Sequence, residues 1–285
     1  MNRYDVWDDI EVIRELLNLS IEDFAEKIGV AASTIYRWKD NEEKITSKNL
    51  TAIYEFAFKN KIHLNIIKAQ LFKDTCEKNH KILFHSSKTG IVGELSLEKS
   101  KESNDFGTGF YCGESLEQSA MFVANYPKSS LYIVDLDEIG LNYVNLSVER
   151  DWMLLVAYFR GKLNAYANHP IILEILSRLE DADCIIAPIA DNRMFQIIDE
   201  FIDGEITDVQ CRYCLSATDL GKQFVFRTQK ALSHIKILRK CYLAPAEKDA
   251  YLAAKSGELH DSNNKSKIAK KQYRNQGKYI EEILL

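Results

Sequence analysis

Apolar positions recur at three- and four-residue intervals through roughly the first sixty residues, and at alternate or consecutive positions from Lys81 onward. Ile10, Ile13, Leu16 and Leu17 share one face of a helix that closes near Asn18-Leu19. Ser20, followed three residues later by Asp23, predicts an N-cap and a second helix from Ile21 to Lys27, and Gly29 supplies the tight turn after it. Thr46-Ser47 caps a further helix carrying Leu50, Ile53, Tyr54 and Ala57. His63-Leu64, Ile66-Ile67 and Leu71-Phe72 extend the helical period toward the polar stretch 73–79.

Beyond that stretch short strand-like runs take over: Ile82-Leu83-Phe84, Leu131 to Leu136, Tyr143 to Leu146, Cys184 to Ile189, Gln223 to Arg227 and His234 to Leu238. Helical segments fall between them at Ser115–Asn125, Asp151–Arg160, Ile171–Leu179 and Met194–Ile202. The pattern predicts a multi-domain chain: an all-α domain over 1–62, a helical linker over 63–80, an α+β domain over 81–243 and a helical tail over 244–285. Within the tail, residues 256–277 are polar enough to be expected mobile. The apolar Tyr279-Ile280 and Ile283-Leu284-Leu285 are expected to dock on the core or on a partner.

Composition changes this picture only by exclusion. With 46% hydrophobic and 28% charged residues the chain is of the soluble globular kind. It contains no run of eighteen apolar residues and its N-terminus lacks the basic-then-apolar pattern of a signal peptide, so no membrane partner and a cytoplasmic location are expected. Six cysteines without a secretory context read as reduced thiols. The net charge of −5 leaves nucleic-acid contact to local patches.

One such patch is suggested near the N-terminus. The spacing Phe24-Ala25, Ile28-Gly29-Val30, Ser33-Thr34-Ile35 and Trp38 resembles the helix-turn-helix of phage-repressor-like regulators. The resemblance implies that Ala32, Ser33, Tyr36, Arg37 and Lys39 face the DNA major groove, and that the protein pairs into a homodimer on DNA. Against it, residues 1–60 hold 12 acids and 8 bases, which suits a protein-docking face equally.

The chemistry-bearing stretch runs from Lys81 to Tyr126. Phe84-His85-Ser86-Ser87 ends a strand on an imidazole and two hydroxyls, and Asp105-Phe106-Gly107-Thr108-Gly109-Phe110-Tyr111 sets a glycine pair before two aromatics. Such a pair lets backbone approach a flat polar ring that aromatics then cover. These motifs resemble the ADP-ribosyltransferase superfamily of the His-Tyr-Glu type, and within it a bacterial branch of unknown function with an Asp-Phe-Gly-x-Gly-Phe-Tyr signature. The resemblance implies a two-sheet α+β fold and NAD as substrate. It also implies that His85 bonds the ribose beside nicotinamide, with Ser86 and Ser87 completing that motif. Gly109 allows close approach, Tyr111 covers one face of the ring, Ser119 bonds the carboxamide and Phe122 covers the other face.

At the third motif the chain departs from the family. Gln223-Phe224-Val225-Phe226 stands where the family has a catalytic glutamate, and glutamine is no base. Asp191 and Arg193, just past a strand end, are candidates for a substitute base and for pairing the pyrophosphate. Asp105 and Glu114 flank the glycine motif and could also supply charge. Cys211-Arg212-Tyr213-Cys214 lacks a second ligand pair, so helix packing rather than a metal is expected. Gly221-Lys222 is no Walker loop.

These features lead to one expectation and one alternative. The expectation is a mono-ADP-ribosyltransferase that modifies a macromolecule, as the toxin or effector of a bacterial toxin–antitoxin or phage-defence system with a neutralising antitoxin partner. The alternative is a helix-turn-helix transcriptional regulator whose second domain binds an NAD-like ligand without turnover.

Overall fold

The computed structural model describes residues 4–216 and 220–285. Five helices open the chain: α1 (Val6–Leu17), α2 (Ile21–Ile28), α3 (Ala32–Asp40), α4 (Ser47–Lys59) and α5 (Leu64–Asp74). Then come β1 (His80–Ser87), β2 (Phe110–Gly113), α6 (Leu116–Val123), β3 (Ser130–Asp137) and β4 (Tyr143–Asn145). After these follow α7 (Arg150–Phe159), α8 (Pro170–Ser177), β5 (Cys184–Pro188), α9 (Asn192–Ile202), α10 (Asp208–Ser216) and β6 (Lys222–Phe226). The chain closes with α11 (Gln229–Ser233), β7 (Ile235–Cys241), α12 (Pro245–Gln272) and α13 (Glu281–Leu284). A helical N-terminal region followed by a mixed α+β layout, with seven strands among the described residues, is the expected class; the two-sheet detail goes beyond this.

The chain divides into two compact units that are not contiguous in sequence. The first comprises Met1–Val92, Leu116–Asp137 and Lys236–Ala254; the second comprises Gly93–Ser115, Glu138–Ile235 and Lys255–Leu285.

In the first unit the local signals for α2 act as expected. The Ser20 hydroxyl accepts from the Asp23 amide at 3.0 Å and the Asp23 carboxylate accepts from the Ser20 amide at 3.3 Å, a reciprocal capping box. Gly29, at φ 73°, closes the helix in the left-handed region and turns the chain toward α3. Phe24, Ala25, Ile35, Trp38, Ile53 and Tyr54 are buried in one core with Ile10 and Ile13. Under it, the Asp9 carboxylate takes the Lys68 ammonium at 2.6 Å and the Tyr54 hydroxyl at 2.5 Å, so a buried charge is paired and hydrogen-bonded.

The same unit includes chain from the other end of the sequence. The ring of Tyr242 stacks on Tyr54 at 4.9 Å, and its hydroxyl lies 2.7 Å from Thr51 Oγ1. The Asn65 amide donates to the Tyr242 carbonyl at 2.9 Å, Glu55 accepts from the Ala246 amide at 2.7 Å, and Arg239 pairs with Asp5. Strand β3 lies between β1 and β7, and β1 and β3 are antiparallel with His85 opposite Tyr132. A second core of Phe84, Ala120, Val123, Leu131, Ile133 and Leu243 packs α6 on these strands.

The second unit orders its strands β4-β5-β6-β2, the first pair parallel and the others antiparallel. Its core takes every residue of α7 from Trp152 to Ala157, with Ile185, Ile198, Phe201 and Val225. The apolar terminus docks here, through Ile280, Ile283 and Leu284. Residues 256–272, expected mobile, are helical instead. Small residues make the contact: Ser262, Ser266 and Ala269 are buried, the Cys214 thiol donates to the Ser266 carbonyl, and the Gln210 amide donates to that of Lys270. Hydropathy registers large apolar side chains and passes over contacts of this backbone kind. Cys211 and Cys214 are buried on α10, and burial pushes the Cys214 thiol up to about 11, away from reactive thiolate.

Candidate functional site

The glycine motif before β2 folds upon itself. The Tyr111 hydroxyl donates to the Gly107 carbonyl at 2.7 Å and accepts from the Phe106 amide at 3.2 Å, so the ring is fixed by its own loop. Burial raises the phenol pKa, which keeps it neutral. Gly109 is required by space: a Cβ there would lie 2.9 Å from Val225 Cγ1 and 3.0 Å from the Phe226 carbonyl. β2 can therefore approach β6 only through a residue without a side chain.

That approach brings two distant motifs together. In the β2–β6 register Tyr111 opposes Val225 and Gly113 opposes Gln223. Cross-strand partners share a face and residues two apart on a strand do as well, so Tyr111 and Gln223 are diagonal neighbours on one face. Asp105 fixes the second of them. Its Oδ2 accepts from Gln223 Nε2 at 2.8 Å and from the Ala190 amide at 3.2 Å, and its Oδ1 accepts from Arg160 Nε at 2.9 Å and Nη2 at 2.5 Å. Arg160 Nη2 also donates to the Ala190 carbonyl at 2.7 Å, and the guanidinium lies over the Phe195 ring at 4.3 Å. Gln223 Nε2 donates a second bond to the Pro188 carbonyl at 3.0 Å. Both contacts use the amide nitrogen, which leaves the Gln223 carbonyl oxygen as its acceptor end.

The other candidates of this unit are engaged locally. Asp191 caps α9, its Oδ1 accepting from the Met194 amide at 2.8 Å; Arg193 is half-buried in the first turn of that helix. Glu114 Oε1 accepts from the Lys222 amide at 2.9 Å. Asp105, expected only as a source of charge, is the centre of a buried ion pair. Its partner Arg160 was not anticipated: it lies 55 residues downstream at the end of α7, with no local pattern to mark it.

The first unit holds the remaining pocket candidates. The His85 ring is half-buried, 6.1 Å from that of Tyr132, whose hydroxyl accepts from the Ile91 amide at 2.8 Å. Ser86 opposes Leu131 and Ser87 opposes Ser130. Ser119 is buried on α6 and its hydroxyl donates to the Phe84 carbonyl at 3.5 Å. Phe122 is 59% exposed, so it does not serve as core. The ten expected pocket residues thus divide between the units: His85, Ser86, Ser87, Ser119 and Phe122 in the first, Gly109, Tyr111, Asp191, Arg193 and Gln223 in the second.

On α3, Ser33, Tyr36, Arg37 and Lys39 are exposed while Ile35 and Trp38 are buried, which is the polarity a recognition helix needs. Ala32 is half-buried. Arg37 Nη2 donates to Thr34 Oγ1 at 2.9 Å, and the Lys39 ammonium lies 4.7 Å from the Trp7 ring centroid. Among the described residues no group of three or more His, Cys, Asp or Glu side chains is placed to hold a metal ion, and no helix is long and apolar enough to cross a membrane.

Comparison with known proteins assigns both parts of the sequence. Residues 10–56 match a family model described as helix-turn-helix, which suggests a DNA-binding regulator. No curated protein and no solved structure matches the chain. Residues 81–237, more than half of the chain, match the model described as protein of unknown function (DUF3990), and to that family the chain belongs.

Proposed function

We propose that the chain is an NAD-consuming mono-ADP-ribosyltransferase with a DNA-binding helix-turn-helix, acting as the effector of a bacterial toxin–antitoxin or phage-defence system and held in check by a neutralising partner. One observation carries this reading. Tyr111 and Gln223 belong to motifs far apart in sequence, yet they share one sheet face, and Asp105 of the glycine motif holds Gln223 in place. A sheet core has no need of a neutral phenol tied to its own loop beside an amide tied to a buried ion pair; a site that grips a flat polar ring does.

On this reading each residue keeps the role expected from the sequence: Tyr111 and Phe122 for the nicotinamide faces, Ser119 for the carboxamide, His85 for the adjacent ribose and Arg193 for the pyrophosphate. The Gln223 carbonyl oxygen accepts from a ribose hydroxyl as the ribose acquires oxocarbenium character. Glutamine cannot take a proton, so chain elongation into a polymer is not expected.

The test is transfer from NAD labelled in its adenylate phosphate, with nicotinamide release followed in parallel. His85→Ala and Tyr111→Ala are each expected to abolish both signals while the fold persists by circular dichroism. Undiminished labelling by the two variants would refute the site. A second reading is favoured by the engagement of Asp105, Asp191 and Glu114 in hydrogen bonds: a helix-turn-helix regulator whose second domain binds an NAD-like ligand without cleaving it. Saturable NAD binding with no nicotinamide release would select it.

A further inference from the structure

Position 223 is committed to an amide by its surroundings. Its nitrogen donates to a carboxylate oxygen and to a carbonyl oxygen, so a carboxylate side chain would face two acceptors with nothing to donate. Asp105 cannot replace it as a base. It takes four hydrogen bonds, two of them from a guanidinium, and is 7% exposed. Four bonds fill the acceptor capacity of a carboxylate. Among the described residues of the second unit, the other two candidate carboxylates also accept backbone amides: Asp191 from Met194 and Glu114 from Lys222.

A hydroxyl, amide or guanidinium acceptor must lose a proton as it attacks, and a group must be there to receive it. An acceptor that arrives as an anionic oxygen loses none. We infer, resting on the transferase reading above, that the acceptor is the terminal phosphate monoester of a nucleic-acid strand. In the step, a bond forms between a phosphate oxygen and ribose C1′ while the bond from C1′ to the nicotinamide nitrogen breaks. The bonding pair leaves with the nicotinamide, which departs neutral because it was cationic in NAD. No proton is taken up or released. A nucleic acid is favoured over an acidic protein because the same chain carries a helix-turn-helix.

The experiment uses the full chain, labelled NAD, and one DNA duplex prepared with or without 5′-phosphates. Label is expected on the phosphorylated duplex at least about tenfold above the dephosphorylated one. Its rate should fall as the pH drops below about 6, where the phosphate dianion takes up a proton and becomes the less nucleophilic monoanion. Equal labelling of both duplexes would overturn the inference in favour of a hydroxyl or base acceptor. Hydroxylamine-sensitive label on protein would overturn it in favour of a carboxylate. Nicotinamide release with no label on DNA would remove the phosphate acceptor and leave NAD cleavage standing; no release at all would remove both.

Discussion

The pairing of Asp105 with Gln223 makes a demand that a double-mutant cycle can measure. Asp105→Asn removes the charge from a residue that is 7% exposed, against an Arg160 side chain that is 18% exposed. Breaking such a buried pair costs about 3–5 kcal/mol, because a desolvated guanidinium is left with a carbonyl in place of its counter-charge. For a chain of this size that corresponds to a fall in melting temperature of roughly 6–20 °C. Gln223→Glu acts from the other side, setting a carboxylate about where an amide nitrogen now lies, 2.8 Å from Asp105 Oδ2 and 3.0 Å from the Pro188 carbonyl. Two like charges 2.8 Å apart repel by about 6 kcal/mol at an effective dielectric of 20, and uptake of a proton by the new carboxyl would lower that cost. The double variant Asp105→Asn with Gln223→Glu restores one donor facing one acceptor. It should be less destabilised than the sum of the singles by at least about 2 kcal/mol. Urea unfolding at pH 7, followed by circular dichroism with slopes compared across variants, reads all three differences. A single-variant loss below about 1 kcal/mol, or strict additivity, would show that the contact is incidental.

Three further expectations rest on other parts of the molecule. Gly109→Ala drives a Cβ to 2.9 Å from Val225 and 3.0 Å from the Phe226 backbone and should destabilise by about 1–3 kcal/mol in the same unfolding assay; an unchanged midpoint would mean that β2 shifts freely. Burial raises Glu247 to about 7, the Asn65 amide near it at 3.2 and 3.3 Å notwithstanding. The unfolded carboxyl gives up its proton at lower pH than the folded one, so stability should fall between about pH 4.5 and 7, by up to about 3 kcal/mol, and level off above. Glu247→Gln should leave melting at pH 5 near wild type and raise it at pH 8; a parallel shift at both would discard the linkage. Arg37→Ala on the exposed face of α3 should weaken binding to DNA and lower the dependence of log K on log salt by about one; a wild-type chain with no DNA affinity at low salt would point to the protein-docking role.

What could be read in the sequence was what local chemistry decides. The capping box of Ser20 and Asp23, the left-handed Gly29 and the alternation of buried Ile35 and Trp38 with exposed Tyr36 and Arg37 each depend on residues within a few positions of one another. The strand runs were legible for the same reason, since Leu131 to Val134 are wholly buried and read as continuous apolar sequence. Long-range partners left no such trace. Nothing near Tyr54 marks Tyr242 as the ring that stacks on it, and nothing in the helix-turn-helix stretch indicates that Ala246 and Arg239 bond to Glu55 and Asp5. A domain that looks self-contained in its hydrophobic pattern closes its core with chain from beyond residue 236.

Gln223 shows how a partner out of sight can invert the meaning of a substitution. Judged by its own strand, glutamine at the head of Gln223-Phe224-Val225-Phe226 is a weakened glutamate, an acceptor that has lost its charge. Asp105 reverses this. With a carboxylate already neutralised by Arg160 at the other end of the contact, the position calls for a donor, and glutamine is the side chain that donates inward while keeping an acceptor oxygen. A glutamate would require Asp105 to change with it, and Arg160 after that. The departure from the transferase pattern is thus one member of a coupled set of three residues. Whatever this face does, it does with an amide where a carboxylate would otherwise stand.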